Sequence, residues 1–525
     1  MKKRILALAM TVAMLLGLCA CSALKADNSG GDMNMSYAPN YSNGNIGNAM
    51  PEHDGMADVD DMADVDGMMG TDSYTEIVEN QFVNTAENPS SYFSIDANTA
   101  SYPNLRGLIK RGYDIPKDAV RIEEMLNYFT YDYETPTDGS VLALTSSVFD
   151  TPYNSETKLM TIGLAAEEVE FSGVRNNIVF LIDVSGSMNA DNKLPLVQQA
   201  FMMLAESLNP EDRVSIVTYA SRDAVVLSGA YGYEKQKIVG TIEDLSAAGS
   251  TAGSKGIQTA YELAERYFIE GGNNRVILAT DGDFNVGISK TKDLEDFIAE
   301  KRESGVYFSV FGFGTGNLQS EKMEAMALKG NGVYSYIDSV KEAKRALVEG
   351  IGGSIVTVAK DVKAGITFNP EYVESYRLVG YENKLLTEDQ FNDSSTDAGE
   401  LGSGHTVTLV YEIVLTDKEL VPGESIADVK VRYKPTENAG GNASDEAEIT
   451  LAVDTESYHA ELTDNDLFVA SVVEFALILR NSKYKANADL NALVTRLSDL
   501  DLSSDEFKSE FCQLVILYRD KVEGN

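Results

Sequence analysis

Cysteine, histidine and positive charge are all scarce in this sequence, and each scarcity removes a class of function. The 525 residues hold three cysteines, Cys19, Cys21 and Cys512, and three histidines, His53, His405 and His459. So few cysteines cannot build a disulfide scaffold, and no Cys/His grouping has the spacing of a zinc site. A Ser-His-Asp relay would have to draw on one of two histidines, which argues against one. Lysine and arginine number 43 against 82 aspartates and glutamates, a formal charge of −39. A surface of that sign repels phosphate backbones and anionic headgroups, so neither nucleic acid nor electrostatic membrane docking is the main business. The apolar fraction, 43%, is that of ordinary globular proteins, and the length suggests about three domains.

The chain begins with an address. Lys2, Lys3 and Arg4 precede an uncharged run from Ile5 to Leu18, then Cys19-Ala20-Cys21-Ser22. A basic start, an apolar stretch and small residues before a cut make a secretory signal over residues 1–20, and the stretch is too short to span a bilayer. Leu18-Cys19-Ala20-Cys21 resembles the bacterial lipobox, which implies cleavage before Cys21 and acylation of its thiol. Residues 21–75 then read as a lipidated, disordered acidic linker, with ten acids against the single Lys25 and no apolar period. The short repeat around Asp58–Asp66 has the look of a calcium loop. It lacks an acid at Met62 and a glutamate at Ser73, so it is read as part of the spacer.

From about residue 76 the pattern is globular. Asp118 is placed to cap a helix with Ile122, Met125, Leu126 and Phe129 on one face. Strand-like runs follow at Val141–Thr151 and Lys158–Ala165. Between 176 and 352, apolar runs at Ile178–Val184, Val214–Tyr219, Val276–Ala279, Val306–Phe313 and Val333–Ile337 alternate with amphipathic helical stretches. Such continuous hydrophobic strands joined by helices indicate a parallel sheet covered on both faces, which binds ligands beyond the carboxyl ends of its strands. The polar residues at those ends are Asp183-Val184-Ser185-Gly186-Ser187 after the first strand, Thr251 within Gly249–Gly253, and Thr280-Asp281-Gly282 after a later strand. Carboxylates and hydroxyls in this pattern suit a hard cation. Each residue taken alone could equally serve as a helix cap or a loop hydrogen bond.

The three elements together resemble the von Willebrand factor type A (vWA) domain and its metal-ion-dependent adhesion site. The resemblance implies a Rossmann-like, doubly wound α/β fold. Mg²⁺, with Ca²⁺ or Mn²⁺ as alternatives, would be held directly by Ser185, Ser187 and Thr251, and through water by Asp183 and Asp281. It also implies a protein ligand whose acidic side chain completes the coordination, and no catalytic residue. Further phrases are similar to the YfbK-like bacterial lipoproteins of this family. These are Phe93–Tyr102, Val120–Met125, Thr280–Gly287, Gly312–Asn317, Val379–Asn383, Ala398–Glu400 and Gly404–Val407. Asn98 stands where an aspartate is expected, which weakens any second ion site at Asp96.

Two nucleotide look-alikes fail. Gly249–Gly256 lacks the Gly-Lys-Ser/Thr of a phosphate loop, and Gly312–Gly316 is one residue short of a dinucleotide turn. After 353 the chain reads as β-rich, with strands at Val373–Leu378, Thr406–Leu415, Ala427–Tyr433 and Ala447–Val453. Helical spacing follows at Leu467–Leu479, Leu490–Leu497 and Phe507–Tyr518. Cys512 falls on an apolar face as a structural thiol, and His405 at a strand start as a structural hydrogen-bonding group.

The resulting expectation is a flanking region at 76–175, a vWA domain at 176–352 and a C-terminal extension at 353–525. The protein would be anchored by lipid to the outer face of a bacterial membrane and would bind a protein ligand rather than catalyse. The alternatives are a metal-assisted envelope hydrolase and a structural envelope protein with a vestigial site.

Overall fold

The computed structural model describes residues 72–137, 139–169, 174–249, 255–282, 290–316, 318–349, 356–440 and 445–524. The signal, Cys21 and nearly all of the expected linker lie outside these. The linker's expected end at 75 is too late, because its last residues are tied down. Asp72 Oδ1 accepts the backbone N–H groups of Gly316 and Leu318 at 2.9 and 2.7 Å, and the Tyr74 hydroxyl accepts from Asn104 Nδ2 at 2.9 Å.

Six strands form the central sheet, in the order Tyr334–Ile337, Val306–Phe313, Asn273–Thr280, Asn176–Asp183, Arg213–Tyr219, Asp223–Tyr231. All neighbours run parallel except the last pair. In Asn176–Asp183, Val179 and Leu181 pack with the helix Gly256–Arg266 on one side. Ile178, Phe180 and Ile182 pack with the helix Leu194–Ser207 on the other. Burial on both faces is why these strands carry unbroken apolar runs. The edge strand Asp223–Tyr231 escapes sequence reading because half its surface faces water, leaving Val225 and Val226 exposed.

The two flanks, expected as separate regions, interleave. One sheet has the order Val83–Asn84, Val373–Val379, Thr406–Leu415, Lys158–Ala166, Leu142–Asp150, Tyr458–His459. The other runs Gly399–Gly402, Thr357–Phe368, Ser425–Pro435, Ala447–Asp454, with Ser90–Ser94 also pairing to Thr357–Phe368. Their facing sides share one core that includes Ile162, Leu164, Ile366, Val429 and Val431. The parallel-sheet domain is therefore inserted into a β-sandwich. The hairpin Leu142–Ala166 cannot bury its apolar face alone and takes strands from beyond the insertion. The long strand Thr357–Phe368 is hidden in the sequence because its alternation breaks at a bulge between Lys360 and Lys363, where Asp361 has φ +50°.

A helical layer closes the flanks. Ser101–Lys110 and Ile122–Asn127 share a core with Asp464–Leu479, Leu490–Ser498 and Glu506–Glu523, centred on Met125, Phe129, Phe468 and Phe511. Cys512 packs half-buried against this core, and burial raises its thiol pKa. Asp118 is not the cap of its helix. It sits in the turn Lys117–Ala119, and its Oδ1 accepts from Ile77 N at 2.9 Å, because the chain stays extended at Val120 and Arg121 before the helix starts.

Glu123 is buried in this layer with no partner for its Oε2 among the described residues. Gly380, at φ +82°, lets the backbone approach so closely that a Cβ there would stand 2.7 Å from that oxygen. Burial, and then the charge of Glu382, pushes the Glu123 carboxyl up to about 7. A folded-state value above the unfolded one means the native state holds the extra proton, so stability falls as pH rises from about 4.5 through 7. Glu123→Gln, which mimics the protonated acid, is expected to match the wild type at about pH 4 and exceed it at about pH 8 by up to about 3 kcal/mol. Urea unfolding at the two pH values checks this, and an equal difference at both would contradict it.

Candidate metal centre

Asn176–Asp183 and Asn273–Thr280 are neighbours in the middle of the sheet, with their onward connections leaving in opposite directions. The crevice between their carboxyl ends is where α/β sheets bind ligands. Asp183, Ser185, Ser187 and Asp281 converge there. Asp183 is fully buried, and its Oδ1 accepts from Ser185 N at 2.8 Å. Its Oδ2 lies 3.5 Å from the Thr280 hydroxyl, which in turn accepts from Gly282 N at 3.2 Å. The Ser185 and Ser187 hydroxyls are 2.9 Å apart, the first buried and the second open to solvent. Gly186 N donates to Gly249 O at 2.9 Å, which draws the second loop against the first. Thr251, two residues on from Gly249 in the sequence, lies outside the described residues.

The electrostatics favour a cation. Burial, with a contribution from the neighbouring Asp281 charge, pushes the Asp183 carboxyl up to about 6 despite the Ser185 hydrogen bonds that oppose it. Asp281 is equally buried, and its Oδ1 has no hydrogen-bond partner among the described residues. A buried carboxylate oxygen left unpaired costs free energy that a cation relieves. Two hydroxyls and two desolvated carboxylates therefore fit a hard divalent ion. Among the described residues no group of three His, Cys, Asp or Glu could hold a metal, so a cation here depends on the hydroxyls.

One residue at the centre has no signal in the sequence. Lys193, at the start of Leu194–Ser207, is buried and donates from Nζ to Asp281 Oδ2 at 2.7 Å. Its stem passes over Gly314, where a Cβ would lie 2.5 Å from the lysine's methylenes. With φ +74°, glycine is needed at 314 on both counts. The glycine-rich loop that looked like a truncated dinucleotide turn thus admits a lysine to this crevice and receives Asp72.

The two described histidines, His405 and His459, take structural positions. His405 is half-buried, its Nδ1 accepts from Gly402 N at 3.3 Å, and desolvation lowers its pKa to about 4. His459 lies near Ser147 and Asp466, yet both face its Nε2, at 3.4 and 2.8 Å, while Nδ1 meets the Ser457 carbonyl at 3.2 Å. A relay needs acid and nucleophile on opposite ring nitrogens, and this trio lacks that arrangement.

The family profile of the von Willebrand factor type A domain matches residues 177–348. A von Willebrand factor profile matches 68–161, and that of the C-terminal part of the uncharacterized protein YfbK matches 353–520. Among curated relatives, the uncharacterized protein YfbK of Escherichia coli (strain K12) is 40% identical over 374 residues, covering 70% of this chain and 64% of that protein. The chain thus spans just under two thirds of that relative's length. Inter-alpha-trypsin inhibitor heavy chain H3 from Homo sapiens is 25% identical over 269 residues, 47% of this chain and 29% of that protein. Among solved structures, von Willebrand factor type A from Catenulispora acidiphila has a TM-score of 0.37 at 17% identity, covering 71% of this chain and 88% of that one.

Proposed function

We propose that this chain, in which a von Willebrand factor type A domain at 177–348 is joined to a YfbK-type C-terminal domain at 353–520, is a cell-envelope lipoprotein that binds a protein ligand through a divalent cation. The observation that carries the reading is the convergence of Asp183, Ser185, Ser187 and Asp281 on one crevice, with a buried Asp281 oxygen left for a cation. Ser185 and Ser187, with Thr251 from the facing loop, would hold Mg²⁺. Asp183 fixes the loop by accepting Ser185 N, and Asp281 adds the second charge. A cation bound mainly by neutral oxygens keeps its electrophilicity and offers a coordination position to an acidic side chain of the partner. Capture of envelope proteins on the immobilised chain tests this. A partner retained in Mg²⁺ and released by chelator supports the reading, and equal retention in both sinks it.

Lys193 sets the strength of this site in the same reading. Its ammonium already occupies one oxygen of Asp281, so a divalent ion binds against it. Lys193→Met is expected to raise Mg²⁺ affinity by roughly tenfold, about 1.4 kcal/mol. It should also lower the melting temperature of the cation-free protein. Isothermal titration reads the first effect, and an unchanged or weaker affinity would show that the lysine does not compete.

The envelope location rests on the signal and on Leu18–Cys21, since no described helix is long and apolar enough to cross a membrane. Metabolic labelling with an acyl probe is expected to tag the wild type and to leave Cys21→Ala unlabelled. Equal labelling of both would remove the anchor.

A further inference from the structure

A second site lies away from the metal crevice, in a cleft of about 510 Å³ where the vWA domain meets the sandwich. That volume is in the range of small-molecule sites, which favour such junctions. Most charges lining it are already matched. Lys384 Nζ reaches Asp96 at 2.8 Å and Glu324 at 3.0 Å, and Glu400 accepts from Thr357 at 3.1 Å with Lys360 nearby. His405 is held neutral by its burial.

Arg345 differs. It sits on a π-helical turn, Lys344–Glu349, a distortion frequent at functional sites. Its guanidinium lies 3.9 Å over the Tyr128 ring, Nε donates to Glu342 at 3.1 Å and Nη2 to Thr99 at 3.2 Å. Glu342 is itself clamped by Arg106 at 2.8 Å, so the fork cannot swing away. Nη1 has no partner among the described residues. Asn98 is another lining residue. Its Oδ1 accepts from Ala100 N at 3.0 Å, which fixes the amide, and its buried Nδ2 has no partner among the described residues. A held guanidinium corner and a fixed, unsatisfied amide donor in one cleft call for an acceptor with two oxygens.

We propose that this cleft binds a small carboxylate-bearing ligand of peptide size, its carboxylate received by Arg345 and Asn98. The Arg345 corner and the Asn98 amide prefer a carboxylate to its amide because both oxygens accept and the charge is matched.

The test uses the full mature chain with N-acetyl-alanyl-alanine as probe and the corresponding C-terminal amide as control, read by isothermal titration without added divalent ion. The carboxylate is expected to bind at least tenfold more tightly than the amide. Arg345→Gln should abolish the preference. Asn98→Asp keeps the acceptor for Ala100 N, and so the fold, but turns the donor into a repelling charge, and it should weaken the carboxylate at least tenfold. Circular dichroism checks that both variants fold. Equal binding of acid and amide, unchanged binding in Asn98→Asp, or no binding of the acid by the wild type overturns the proposal. Asp183→Ala should leave this binding intact, which separates the cleft from the metal centre.

Discussion

Asp183→Ala is expected to lose Mg²⁺ binding altogether. In the wild type, a cation that binds only the native state stabilises it by about 2.7 kcal/mol at a hundred times its Kd. The melting temperature should therefore climb with added Mg²⁺ and fall back with chelator. The alanine variant should show no climb. Its fold should survive, because Asp183 stands at the last position of its strand and relieves a desolvation burden when removed. The cost is one backbone donor, Ser185 N, left without its acceptor, about 1–3 kcal/mol. Asp183→Asn retains that acceptor without the charge, and it should keep wild-type stability in chelator while still failing to respond to Mg²⁺. Isothermal titration of the three proteins decides the matter, and equal Mg²⁺ affinity in wild type and Asp183→Ala would defeat the assignment.

The largest loss of stability is expected at Arg106. Its side chain is wholly buried, and each of its five N–H groups has an acceptor. Nε and Nη2 donate to Asp338 at 2.8 and 2.5 Å, Nη2 also to Glu342 at 2.8 Å, and Nη1 to the Tyr128 hydroxyl at 2.9 Å and Glu510 at 3.0 Å. Asp338 follows the last strand of the parallel sheet, Glu342 is on the helix Val340–Ala343, and Glu510 is on the C-terminal helix Glu506–Glu523. One guanidinium thus ties the inserted domain to both flanks. Arg106→Ala would strand Asp338 as a buried charge and leave Glu342 with Arg345 as its cation, a loss of about 3–5 kcal/mol. Arg106→Lys should recover little, because three donors cannot serve five acceptors in a fixed plane. Urea unfolding followed by circular dichroism measures the loss, and a change below about 1 kcal/mol would show that the network is slack. Limited proteolysis should also release the inserted domain faster from Arg106→Ala.

Much of the architecture was open to reading in one dimension. The doubly wound sheet announces itself because strands buried on both faces must be apolar at every position, as in Ile178–Ile182. The candidate residues of the crevice were legible because their hydroxyls and carboxylates recur at fixed offsets after such strands. Asp183, Ser185, Ser187 and Asp281 do meet in one crevice, while Thr251 lies outside the described residues. The edge strand Asp223–Tyr231 and the bulged strand Thr357–Phe368 left no clean period, the first through one-sided exposure and the second through its break near Asp361.

Local chemistry along the chain thus determined the element types and the crevice, while the expected secretory start lies outside the described residues. It could not determine that residues 83–166 and 357–459 build one sandwich, because pairing across the intervening domain depends on which apolar faces meet in space. Nor could it reveal Lys193 on Asp281, Arg106 among four distant acceptors, or Arg345 and Asn98 facing one cleft. Each of these joins residues tens to hundreds of positions apart, and a buried charge finds its partner through packing, which only the tertiary structure decides.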